Sequence, residues 1–253
     1  MGIFQGKKIR SAIVSAINIL CKKKEVEGAK QNVDDFNKNT MAGALQRCKE
    51  RNLHFKTVLD VGASNGMWSE PAMSFFPESF YYLIEAQAPH EEALIAFKKK
   101  HPNSGYIMAA AGDIDGTLYF HNQDLFGGAA SHEPCGEYTI RVPSVRIDTL
   151  VEQKKLQPPF LIKLDTHGFE TQIFAGAQKT LKQTSLILVE AYNFRLRPDA
   201  LMFHEMCTFL EAYGFRCIDF CDLLYRPKDH ALWQMDMFFI RSDSIEFQQN
   251  TWE

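Results

Sequence analysis

From Phe55 onward, short apolar runs alternate with segments whose apolar residues recur three and four apart, which predicts βαβ units around a mostly parallel sheet. Thr57-Val-Leu-Asp-Val61 is an apolar run closed by Gly62, the pattern of a strand buried on both faces. A helix is expected from about Gly66 to Phe76, with Pro77 closing it. Tyr81 to Glu85 reads as the second strand, followed by a helix that opens at Pro89 and ends in the basic turn Lys98 to Lys100. Tyr106 to Ala111 reads as the third. Thr117 to His121 and Tyr138 to Val145 both alternate with period two, like a hairpin added to the sheet. The long loop between them, Asn122 to Glu137, holds Gly127, Gly128, Ser131, His132 and Pro134, and loops of this length in a domain are more often functional than decorative.

Phe160 to Leu164 is the fourth strand, and Phe169, Ile173, Ala177 and Leu181 mark one face of the helical stretch after it. Leu186 to Val189 is the fifth. Asp199 to Tyr213 predicts a helix with Met202, Met206, Phe209, Leu210 and Tyr213 in one stripe and Gly214 as its stop. Phe215 to Phe220 and Met235 to Arg241 are the last two strands, joined only by a loop and therefore able to pair antiparallel. The expected architecture is a doubly wound, Rossmann-like α/β fold: a seven-stranded, mostly parallel sheet with an antiparallel final strand and an inserted β-hairpin.

The first 50 residues stand apart as a helical extension to an α/β domain of residues 51–253. Ile9, Ile13, Ala16, Ile17 and Leu20 lie at helical spacing between the basic flanks Lys7, Lys8, Arg10 and Lys22 to Lys24. The uncharged run Ser11 to Cys21 is too short to span a bilayer, which needs about 20 residues. This helix either packs on the domain or on a second subunit, or lies on a membrane surface as a peripheral contact. Glu25 to Thr40 is polar and reads as a linker or a second short helix.

The net charge of −3 offers no general attraction to nucleic acid. No Asn/Asp-Pro-Pro-Tyr base-flipping motif is present either. The six cysteines form no Cys-x-x-Cys pair, so buried free thiols and a cytoplasmic setting are expected over disulfides or structural zinc.

Candidate chemistry begins at Asp60-Val-Gly-Ala-Ser-Asn-Gly66, just past the first strand, where a doubly wound fold binds its ligand. Gly62 permits a tight turn and close ligand approach, and Gly66 lets the next helix start beside it. Glu85, at the end of the second strand, is placed to accept hydrogen bonds from two ribose hydroxyls. A dinucleotide site has such a carboxylate too, but its fingerprint needs a middle glycine where this chain has Ser64. Asp60 would repel a pyrophosphate yet suits a ligand carrying an ammonium group, such as S-adenosylmethionine. The competing reading is a strand-to-helix turn with no ligand.

Asp60 to Ser69, Ile84-Glu-Ala86, Ile162-Lys-Leu-Asp-Thr-His-Gly-Phe-Glu170 and Ile187-Leu-Val-Glu190 together resemble the FkbM family of methyltransferases, from about Thr57 to Arg241. The Lys-x-Asp-x-x-Gly-x-Glu signature from Lys163 to Glu170 is the most specific part. The resemblance implies a class I methyltransferase domain, S-adenosylmethionine as donor, and usually O-methylation of sugars, glycans or natural products. Residue by residue it places Asp60, Gly62, Ala63, Ser64, Gly66 and Trp68 around the methionine end of the cofactor. Glu85 and Ala86 fall at the ribose and Asp113 at the adenine edge. Ser64 stands where the family often has Asn, and His167 where it commonly has Glu or Gln.

A hydroxyl acceptor must lose its proton, and Asp165, His167 and Glu190 follow strand ends at the mouth of the expected site. His167 is either the base or a helix-capping histidine. Asp165 and Glu190 either share a divalent ion such as magnesium or fix local structure. His132, Tyr192, Asn193, Arg195 and Arg197 are candidate contacts to a small-molecule, sugar or glycan acceptor. Two competing functions are a noncatalytic module that binds the cofactor and a NAD-dependent oxidoreductase.

Overall fold

The protein is described by a computed structural model covering residues 39–252. The helix expected over Lys7 to Lys24 lies outside these residues, as does all of the Glu25 to Thr40 segment but Asn39 and Thr40. The described residues belong to the larger of two units in the chain, Asn37–Glu253.

Strand β1 (Thr57–Val61) is buried at every position and pairs in parallel with both β2 (Phe80–Glu85) and β8 (Phe160–Leu164). β3 (Ser104–Met108) extends the sheet beyond β2, and β9 (Thr184–Tyr192) extends it beyond β8. β11 (Leu232–Arg241) then runs antiparallel between β9 and β10 (Phe215–Tyr225), giving the order β10-β11-β9-β8-β1-β2-β3. This matches the seven-stranded expectation, including its antiparallel last strand. Because the chain winds outward from β1 through β2 and β3 on one side and later through β8 and β9 on the other, the winding reverses beside it. A crevice therefore opens at the carboxyl ends of β1 and β8.

Two apolar clusters cover the two sheet faces, as a parallel sheet requires. One gathers Leu59 and Val61 of β1 with residues of α4 (Ile147–Lys154), α5 (Glu170–Ala175), α6 (Gln178–Leu181) and α7 (Phe203–Ala212). The other gathers Val58 and Leu83 with α1 (Met41–Glu50), α2 (Ser69–Ala72) and α3 (Glu91–Lys100). α1 is capped by Thr40 and tied to β10 by a forked Arg47–Asp219 pair at 2.6 and 3.0 Å.

Several elements depart from the sequence expectation. The helix expected over Gly66 to Phe76 is only one regular turn, α2, and the helical stretch after β8 divides into α5 and α6 around Gly176. A Cβ on Gly176 would meet the Gly112 carbonyl oxygen at 2.0 Å, so a glycine permits this crossing. The third strand breaks at Ala109. Its second part, β4 (Ala110–Ala111), leaves for a separate four-stranded sheet with β5 (Gly116–His121), β6 (Ala129–Ser131) and β7 (Thr139–Val145). The inserted hairpin is thus the centre of a second small sheet in the order β4-β7-β5-β6, not an extension of the first. No helix among the described residues is long and apolar enough to cross a membrane.

Candidate active site

The turn after β1 is held open by left-handed backbone. Gly62 has φ +73°, and a Cβ there would lie 2.1 Å from the Asp165 carbonyl oxygen, so β1 and β8 approach at a distance only glycine allows. Ser64 also has positive φ, +51°, a conformation that costs a non-glycine residue about 1–2 kcal/mol. Offsetting that cost, its N–H donates to Glu85 Oε2 at 2.7 Å, and the Gln87 N–H donates to Oε1 at the same distance. Glu85 is therefore held by two backbone donors at the end of β2, and each of its oxygens keeps a lone pair for a diol. Ala86 follows this carboxylate in sequence and Ala63 precedes Ser64, Ala63 buried and Ala86 half-buried.

Asp60 has a partner other than the ligand ammonium group expected from sequence. Its carboxylate is fully buried, lies 3.0 Å from Lys163 Nζ on the neighbouring strand and accepts from Ser69 Oγ at 2.7 Å. Lys163 also donates to the Gly62 carbonyl at 3.2 Å and stands 3.6 Å from Asp165. Trp68 is turned toward α1, its indole N–H donating to Met41 Sδ at 3.4 Å and its ring 5.8 Å from Lys163 Nζ. Asp113 is matched with His132 at 3.1 Å, while the His132 ring packs 5.6 Å from Phe169.

The Lys163–Glu170 signature acquires a physical account. Lys163 neutralises Asp60, His167 (φ +54°) and Gly168 (φ +100°) make a left-handed turn, and Glu170 reaches back to close it. Glu170 Oε1 accepts from the Gly168 N–H at 2.9 Å and from Thr166 Oγ1 at 3.1 Å. The turn delivers His167 to the cluster named from sequence. Its Nδ1 lies 3.1 Å from the Gly128 carbonyl, which can only accept, so Nδ1 carries a proton. Nε2 is buried, has no hydrogen-bond partner among the described residues, and lies 3.4 Å from Asp165 Oδ1 and 3.6 Å from Glu190 Oε1. Glu190 in turn accepts from the Tyr192 hydroxyl. Asp165 is the most exposed of the trio, with its side chain 33% accessible.

Behind the cluster stands Asp236, opposite Glu190 in the β9–β11 ladder. Burial, then the charges of Glu190, Asp165 and Asp222, raise its pKa well above the ordinary carboxylate value. A folded-state pKa raised in this way makes the ionised group a cost, absent below the unfolded value of about 3.9 and complete above the folded one. Asp236→Asn should therefore raise the unfolding midpoint at neutral pH, with the gain shrinking on acidification. An unchanged or lower midpoint at pH 7 to 8 in a thermal scan would contradict this.

The remaining candidates are engaged within the protein. Asn193 Nδ2 donates to the Leu232 carbonyl at 3.2 Å. Arg195 donates to the Ala200 carbonyl and pairs with Glu205, and Arg197 donates to the Ala130 carbonyl at 2.5 Å. Gln87, His90 and Asp236 went unnoticed in the sequence. Only Gln87, two residues past Glu85, had a position that could have marked it.

A switch-point crevice with a strand-end carboxylate at β2 and a polar cluster after β8 and β9 is the arrangement of the class I methyltransferase fold. Residues 60–217, well over half the chain, match the profile of the methyltransferase FkbM domain, and the chain belongs to that family. The match is to a methyltransferase family and not to a dinucleotide-binding one. Among curated proteins no relative matches. Among the similar solved structures are the following three. Methyltransferase FkbM from Methylobacillus flagellatus is 14% identical at TM-score 0.46, covering 72% of this chain and 43% of its own length. The Burkholderia thailandensis 1,6-didemethyltoxoflavin N1-methyltransferase, bound to S-adenosylhomocysteine, is 14% identical at TM-score 0.46, covering 94% of this chain and 89% of its own. Streptococcus pneumoniae Sp1610, described as a putative tRNA (m1A22) methyltransferase in complex with S-adenosylmethionine, is 9% identical at TM-score 0.47, covering 79% and 73%. This chain thus spans less than half of the first of these proteins.

Proposed function

We propose that the protein transfers the methyl group of S-adenosylmethionine to a hydroxyl of a sugar, glycan or natural-product acceptor, with Asp165, His167 and Glu190 taking up the proton. The observation that carries this reading is the position of His167 Nε2, buried between two carboxylates at 3.4 and 3.6 Å. The cofactor supplies an electrophilic methyl carbon, and positioning the acceptor oxygen in line with it accounts for much of the rate. The acceptor O–H bond would break as the O–C bond forms, and the methyl–sulfur bond would break with its electrons left on the sulfur of S-adenosylhomocysteine. Asp165, the most exposed member, meets the hydroxyl, and its proton comes to rest on Nε2, where the imidazolium lies between Asp165 and Glu190 and is stabilised by both. Glu85 holds the ribose, with Gly62 and Gly66 giving the cofactor close access to backbone. We propose as well that the reaction is cytoplasmic, with the apolar pattern between the basic flanks of Lys7 to Lys24 as a contact toward a membrane-bound acceptor.

A second reading is favoured by one observation. The coordinating atoms of Asp165, His167 and Glu190 lie within 4.8 Å of one another, and a histidine with Nδ1–H on a carbonyl presents Nε2 as a metal ligand would. A divalent ion such as magnesium would then lower the pKa of the acceptor hydroxyl.

Transfer of labelled methyl to a panel of glycan, lipid-linked sugar and polyhydroxylated acceptors tests the proposal. The expected product is a methyl ether, formed about 10²- to 10⁴-fold more slowly by His167→Ala. Undiminished transfer in that variant, or methylation only at nitrogen, would refute it. Loss of transfer with a chelator and its return with magnesium would select the metal reading.

A further inference from the structure

The loop between β5 and β6 is gripped through its backbone by side chains from two different strand ends. Gln87 Nε2 donates to the Leu125 carbonyl at 2.8 Å and lies 3.4 Å from that of Asp124. His90 Nε2 lies 2.9 Å from the same Leu125 oxygen, with its ring 5.4 Å from Phe126. Three residues further on, the Gly128 carbonyl takes the His167 Nδ1–H at 3.1 Å. Gln87 and His90 follow β2, and His167 follows β8. These strands flank β1, whose end carries the turn at Gly62 to Gly66, and His90 Nε2, which meets the loop, also lies 3.5 Å from Ser64 Oγ in that turn. The span agrees with the chain: two strand spacings are about 10 Å, and three extended residues reach about the same. Gly128 is also sterically fixed, since a Cβ there would lie 2.2 Å from Phe120 Cε1 and 3.0 Å from Gln87 Nε2.

We infer that Gln87 and Gly128 are positioning residues: they tie the 122–128 loop as a strap over the cofactor turn, and the strap sets the His167 tautomer. With the strap down, Nδ1 must hold its proton for Gly128, which leaves Nε2 basic toward Asp165 and Glu190. With it lifted, the Gly128 acceptor is gone and the imidazole divides between tautomers. Escape of the cofactor product from beneath the strap and release of the histidine are then one event. This rests on the proposed roles of His167 and of the cofactor turn. It holds whether Nε2 takes a proton or a metal.

Gln87→Ala is the direct test, because the backbone N–H of residue 87 still reaches Glu85 and leaves the ribose carboxylate in place. Gln87→Glu, equal in size but lacking the donor, is its companion, and thermal midpoints confirm that both fold. Nitrogen resonances of ¹⁵N-histidine-labelled protein, assigned to His167 with His167→Gln, should show a fixed Nδ1–H tautomer in the wild type and an averaged one in both variants. Release of S-adenosylhomocysteine, followed by stopped flow, should be at least tenfold faster in both. An identical His167 spectrum in folded variants would overturn the tautomer coupling, and unchanged release would overturn the strap. Since the spectra are recorded without ligand, a wild type that binds no S-adenosylhomocysteine would refute the cofactor reading while the tautomer comparison still decides the coupling.

Discussion

Lys163→Met should cost the fold about 3–5 kcal/mol, the loss expected when one member of a buried ion pair is removed and the other stays charged in the interior. The lysine side chain is 7% accessible and the Asp60 side chain not at all, and they face each other across β1 and β8. Burial alone would lower the Lys163 pKa, but Asp60 and Asp165 outweigh it and hold the ammonium protonated above the ordinary lysine value. The sign follows from that direction. A raised lysine stabilises the fold fully below the unfolded pKa of about 10.4 and loses this contribution as pH climbs through the folded one. The difference between wild type and Lys163→Met in urea unfolding should therefore be level from neutrality to about pH 10, then narrow. Adding Asp60→Asn should recover much of the loss, because the orphaned charge goes with it. A deficit below 1 kcal/mol at pH 7 would mean that Asp60 finds relief elsewhere.

Glu85→Ala should weaken S-adenosylhomocysteine binding by about 100-fold or more. Two charge-assisted hydrogen bonds to a ribose diol are worth about 1.5–3 kcal/mol each, and the variant removes both. It also frees the N–H groups of Ser64 and Gln87, so the left-handed Ser64 loses the bond that offsets its strain. Glu85→Gln should fall between, because its amide keeps one acceptor oxygen but turns an NH₂ toward a backbone donor. Calorimetry of both variants against the wild type reads the effect. Equal affinities would remove Glu85 from the cofactor site.

What was legible in the sequence was what burial imposes over short range. Strands such as Thr57–Val61 and Phe160–Leu164 are buried along their whole length and mostly apolar because helices cover both faces. The glycine at 62 and the carboxylate at 85 could be placed from sequence for the same reason: each sits at the end of such a run. Long-range pairing was not legible. Asp60 looked like a ligand for a cofactor amine because its partner, Lys163, lies a hundred residues away on an otherwise apolar strand. The break at Ala109 is invisible in an alanine run, where Met108 and Ala110 are equally suited to one strand or two. Arg195 and Arg197 resembled acceptor contacts, yet backbone carbonyls and nearby carboxylates engage them. The contact of His167 with Gly128 joins a signature to a loop with no periodicity at all.

The central claim, that this crevice is a site for S-adenosylmethionine, is tested most directly by titrating S-adenosylhomocysteine into the wild-type protein in a calorimeter, with NAD as a parallel titrant. One equivalent binding at micromolar concentration, with no heat from NAD, is the predicted result. No binding of S-adenosylhomocysteine at millimolar concentration, or binding of NAD in its place, would contradict it.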